Sequence, residues 1–258
     1  MNKQYKLALT LIIPGLMFAG AASATHSWGN YHWARDSSSF TLPVVDSTSS
    51  DWNWELQETL SKWSQSNALD LAIVATENDS RTRKRCSMVT GHMRVCNAAY
   101  GYNGWLGLAS INLDSSGHII KGTAKMNDSY SSYWASQAEK NHVMCQEVGH
   151  VFGLGHTSED GSSQGTCMDY SQSNNSQWPN SHDYQMLADI YQHVDSYNSY
   201  ATGSEPPSTC KGRKCNAKAF GLGHRIYGNE HFEIWAEAEE DGTLTLHHVY
   251  LADGHEDH

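Results

Sequence analysis

Residues 145–156 read Cys-Gln-Glu-Val-Gly-His-Val-Phe-Gly-Leu-Gly-His. On a helix, residues four apart share one face, with Cβ atoms about 5–6 Å apart. Gln146 and His150 are such a pair, so both can point at one ion. Glu147, the next residue, can hold a water on that ion. Gly153 tolerates positive φ and lets the chain turn sharply, which brings His156 back as a third donor. Three protein ligands with an open fourth position describe a catalytic zinc site. Zinc lowers the pKa of bound water to about 7, and a nearby carboxylate takes its proton. The chemistry on offer is metal-assisted hydrolysis. The plain alternative is a helix carrying two structural histidines.

The pattern resembles the metzincin zinc peptidases, whose signature is H-E-x-x-H-x-x-G-x-x-H followed by a methionine turn. Glu147, His150, Gly153 and His156 match it, and Cys167-Met168-Asp169-Tyr170 follows. Gln146 stands where the first histidine belongs. The likeness covers roughly residues 30–195, points to the matrixin-like group and does not reach the tail. It implies His150 and His156 as zinc ligands, Glu147 as general base and Met168 as a packing floor. At the offset of Tyr170, astacin-like and serralysin-like members use a tyrosine at the metal or the oxyanion. A packed aromatic with its hydroxyl bonded is an equal alternative. The implied activity is a secreted zinc-dependent endopeptidase with one catalytic Zn2+ and a protein or peptide substrate.

Gln146 leaves three readings open. Its amide oxygen ligates and zinc binds more weakly; another histidine substitutes, with His142 and His182 the candidates; or zinc is absent and the fold binds partners only. The last defines the rival function, a catalytically weak or inactive metzincin-like binding protein. Retained Glu147 argues against it. A Cys145–Cys167 bridge would staple the active-site helix to the methionine turn. Matrixins often carry a pro-domain whose cysteine blocks the zinc; the few residues between Ala24 and the first predicted strand leave no room for one.

The chain bounds these readings. Lys3 and Lys6, the apolar run Leu7–Ala22 and Ala22-Ser23-Ala24 read as a signal peptide, residues 1–24. Its removal takes two lysines from a net charge of −11, giving −13. An acidic secreted protein has little attraction for nucleic acid or anionic membrane. Six cysteines in such a compartment imply disulfides, and neighbourhood suggests Cys86–Cys96, Cys145–Cys167 and Cys210–Cys215. The basic run Arg81–Arg85 reads as a solvated loop.

The elements that must position the site give an α+β pattern. Strands are expected at 38–47, 69–76 (with a buried look), around Met93–Tyr100 and Trp105–Asp114, and at 118–128. Helices are expected at 51–65 with Asp51 as N-cap, at about 132–152, and at 182–194. The metzincin resemblance implies a twisted, mixed, mostly parallel sheet with two long helices and a small subdomain past Gly153. Residues 25–197 form the catalytic domain, 198–209 a linker, and 210–258 a small β-rich appendage of two or three strands. The appendage's histidines, His248 among them, read as surface residues. The segment around His118–Asn127 is expected to line the cleft and pair with substrate main chain. Asp114 and Glu159-Asp160 are places where a structural Ca2+ could bind.

Overall fold

The structure, a computed structural model, describes residues 25–200 and 222–252. The signal-peptide expectation for 1–24 and the Cys210–Cys215 pairing lie outside the described residues. Strands β1 (His32–Trp33), β2 (Phe40–Ser47), β3 (Leu69–Thr76), β4 (Met93–Ala98), β5 (Trp105–Leu113) and β6 (His118–Asn127) build the first part of a mixed sheet. Strands β7 (His224–Gly228), β8 (Phe232–Ala238) and β9 (Leu244–Leu251) complete it. The order is β3-β2-β4-β6-β5-β9-β8-β7, with β1 pairing β6. The run from β3 to β6 is parallel, and β5, β9, β8 and β7 are antiparallel to their neighbours.

Four helices accompany the sheet among the described residues: α1 (Asn53–Trp63), α2 (Ser80–Arg85), α3 (Gln137–Val151) and α4 (Ser181–Ile190). Helix α3 packs on β5 and β6, and α1 packs against both α3 and β3. The joint is Trp63, fully buried, whose indole nitrogen donates to Cys145 O at 3.0 Å and whose ring meets Phe152 at 5.0 Å. Ser136 caps α3 through the Glu139 amide, and an Asn180–Asp183 capping box starts α4. Gly153, at φ 97°, ends the α3 turn; a Cβ there would lie 2.1 Å from Tyr31 O.

Several expectations are corrected. Asp51 does not cap α1; it sits inside a 3-10 turn, Ser50–Trp52, that precedes the helix. Arg81–Arg85 is helical rather than a loop, because Asp79 accepts from the Arg81 and Thr82 amides and nucleates α2. Strand β3 is only half-buried, being the outermost strand of the sheet. Strand β6 does not line a cleft. Asp114 N bonds His118 O and the Asp114 carboxylate caps the turn at Ser116, so β5 folds back and takes β6's outer edge. The tail is no separate appendage: β9 runs along the whole of β5.

Disulfides Cys86–Cys96 and Cys145–Cys167 are both formed, which fits an oxidising compartment. Among the described residues, no helix is long and apolar enough to cross a membrane.

Packing under α3 has no slack. A Cβ on Gly149 would lie 2.6 Å from Met168 Sδ and 3.0 Å from Trp63 Cζ2. Gly149→Ala is expected to destabilise the fold by about 1–3 kcal/mol through overpacking. A urea midpoint unchanged from wild type would show that this contact relaxes freely.

Candidate metal centre

Helix α3 is buried from Asn141 to Val151, polar residues included: Gln146 and Glu147 are fully buried and His150 nearly so. Buried polar groups need partners. His150 Nδ1 donates to Leu154 O at 2.8 Å, just past the helix end, which leaves Nε2 as the lone-pair nitrogen. The turn at Gly153 returns His156, and the two Nε2 atoms stand 3.1 Å apart. Ligands at about 2.0–2.1 Å around a tetrahedral zinc are roughly 3.3 Å from one another, so this pair already has the spacing of two ligands.

The third donor comes from the tail. His248 on β9 lies opposite Ala109 of β5, and this register delivers its ring 3.9 Å from that of His150 and 4.6 Å from that of His156, centroid to centroid. One ring nitrogen from each of the three histidines falls within 4.8 Å of the others. His248 Nδ1 is buried without a protein partner, and Nε2 meets the Tyr170 hydroxyl at 3.1 Å. An orphaned nitrogen among three imidazoles is the donor chemistry that zinc uses.

Of the expected site residues, His150, His156 and Tyr170 are brought together; the Tyr170 and His156 ring centroids are 4.4 Å apart. Gln146 is held differently. Its amide nitrogen donates to Cys167 O at 3.0 Å and to Asp169 O at 2.9 Å, on either side of Met168. Its Oε1 is buried with no hydrogen-bond partner, so that oxygen is the atom through which Gln146 could still reach a cation. Neither candidate substitute joins the cluster: His142 Nδ1 bonds Ser176 O, and His182 stacks on His26. Asp114 and Asp160 spend their carboxylates on local turns, with Ser116 and His118 and with Ser158 and Ser162 respectively.

Glu147 lies beneath β5. Its Oε1 would be 2.5 Å from a Cβ on Gly107, so β5 can pass over the carboxyl only because that position has no side chain. Burial pushes Glu147 well above the ordinary carboxylate range, countered only in part by the Ala109 backbone. The three histidines, by contrast, border a cavity of about 290 Å³ walled by Trp28, Glu159, Phe232 and Ile234. Sequence reasoning missed His248 and Trp28 here, and gave Glu159 only as a place for a structural Ca2+. None sits in a recognisable spacing with residues 146–156, and only the pairing of β9 would have found the first.

Burial lowers all three imidazoles, His156 to about 3 and His150 and His248 well below the usual histidine value. They are therefore neutral near pH 7, the form that binds metals. Comparisons with protein-family models, with curated proteins and with solved structures found no match to this chain.

A depressed histidine pKa stabilises the fold above the unfolded value of about 6.5, and the contribution is lost as pH falls from there toward the folded value. Metal-free protein is expected to lose urea stability between pH 7 and pH 5, and His156→Leu to flatten that slope. Equal slopes in the two proteins would show that His156 is not held neutral by burial.

Proposed function

We propose that this chain is a secreted zinc-dependent peptidase of metzincin-like design, in which His248 of the tail stands in for the missing first histidine. The observation that carries the reading is the convergence of His150, His156 and His248 in one buried cluster. Gln146 Oε1, free and buried beside the methionine turn, is available as a further neutral oxygen donor. Zinc bound there supplies Lewis acidity toward a carbonyl or a water.

The chain's own residues have separate tasks. Leu154 O fixes the His150 ring, and Tyr170 holds His248 through its hydroxyl. Burial raises the pKa of Glu147, and a cation nearby would favour its carboxylate, because an opposite charge lowers the pKa. It then takes and returns a proton as general base and acid.

A specific observation favours a second reading, in which the protein is catalytically weak or inactive. The outer edge of β5 is already filled by β9, and Glu147 lies under that ladder rather than on the cavity. In this reading β9 sits where substrate main chain would lie, and His248 plugs the metal.

The substitution His248→Ala separates the two. If His248 is a required ligand, bound zinc falls by one equivalent and peptide cleavage is lost together with it. If His248 is a plug, zinc is retained and cleavage rises. In either active form, Glu147→Ala should lower kcat/KM by about 10²–10⁴-fold without changing the zinc count. Zinc content and hydrolysis of a quenched fluorescent peptide mixture are the measurements. Wild-type and His248→Ala proteins that both bind no zinc at the cluster would end the peptidase reading.

A further inference from the structure

A second group of histidines lies away from α3 and shares no residue with the first centre. Parallel pairing of β1 with β6 places His32 beside His118, and the chain leaving α4 brings His193 and Asp195 over them. The Nε2 atoms of His32 and His193 stand 3.1 Å apart. Asp195 faces three imidazoles: His118 Nε2 at 3.4 Å, His32 Nε2 at 3.6 Å and His193 Nε2 at 3.7 Å.

Hydrogen bonding fixes which nitrogens carry protons. His32 Nδ1 donates to Asn30 O at 2.8 Å, so its Nε2 presents a lone pair. The Tyr197 hydroxyl donates to the Asp114 carboxylate and accepts from His118 Nδ1 at 2.8 Å. His118 Nε2 is then also a lone-pair nitrogen. Two lone pairs aimed at one carboxylate repel unless a positive charge lies between them. A metal ion satisfies the whole arrangement. Asn30 O and the Tyr197–Asp114 pair then act as the outer partners that orient metal-bound histidines.

We propose that His32, His193 and Asp195, whose ligand atoms lie within 4.8 Å of one another, form a zinc site with a structural role, closed by His118, 3.4 Å from Asp195, as fourth ligand after a small shift of its ring. Three imidazoles and a carboxylate suit zinc, and four protein ligands leave no open position for substrate. The site lies where the chain passes from α4 toward the tail. Asp195 N bonds Arg35 O at 2.6 Å, Arg35 N bonds the Asp195 carboxylate at 3.0 Å, and Ser199 N bonds Ala34 O at 3.0 Å. An ion there would clamp residues 195–199 to the start of the sheet. His193, half exposed, offers a route in from solvent.

The test is zinc stoichiometry on the full chain, after loading and exhaustive dialysis, in wild type, His193→Ala, His118→Gln and His248→Ala. His193→Ala is expected to lose one equivalent whatever the first centre holds, and to weaken zinc binding at this site by at least about 10–100-fold, the loss that even an outer partner causes. His118→Gln should weaken it in the same direction. Zinc should raise the melting temperature of wild type more than that of His193→Ala. His248→Ala reports on the first centre alone, so the two sites fail or stand separately. A count unchanged in both His193→Ala and His118→Gln would overturn the proposal, as would an equal thermal response to zinc in wild type and His193→Ala.

Discussion

The pairing of β9 with β5 is the contact on which the site depends. It joins the tail to the main sheet over eight residue pairs from Trp105–Leu251 to Leu113–Leu244. Side chains alternate faces along a strand, so a one-residue slip would turn His248 away and bring its neighbours in. The register is held from both sides. Ser110 bonds His247 Nδ1 at 2.8 Å, and Asn112 donates to Thr243 and Thr245. His247 thereby spends its ring on β5, leaving His248, on the opposite face, to meet His150 and His156.

A dry environment decides the chemistry of these groups. Burial lowers the pKa of the imidazoles and raises that of Glu147, and the rings of His150, His156 and His248 stack with Tyr170 and Phe232. In such surroundings the divalent ion proposed above would be the strongest local charge. Met168 and the Cys145–Cys167 bridge fix the floor beneath it, and the Gln146 amide ties α3 to the same turn through Cys167 O and Asp169 O. Gln146 therefore has a structural task, holding the turn around Met168 against α3.

The two histidine groups use the sheet in the same way. Strand register places His248 on β9 in the first and His32 on β1 and His118 on β6 in the second, and the chain at a helix end delivers the others. Local hydrogen bonds to backbone carbonyls, Leu154 O and Asn30 O, select the tautomer in both. That economy follows from the histidine ring, whose two nitrogens can serve a carbonyl and a cation at once.

Much of the fold was legible because its signals are local. The expected strands became β2 to β6, the helix expected at 51–65 became α1, and Gly153 turned the chain at positive φ as its type suggested. Cysteine proximity gave two bridges, and the spacing of His150 and His156 gave their meeting. The partners of those strands were not legible. No local pattern says that β5 rather than β6 offers a free edge, or that a segment separated from β5 by more than a hundred residues will take it. His248 and the His32–His118–His193–Asp195 group owe their positions to such pairings, in which hydrogen bonds form between backbones of any sequence. What the residues alone determined was which groups can bind a metal; which of them stand together was decided by strand register and chain return, because those are properties of the assembled sheet.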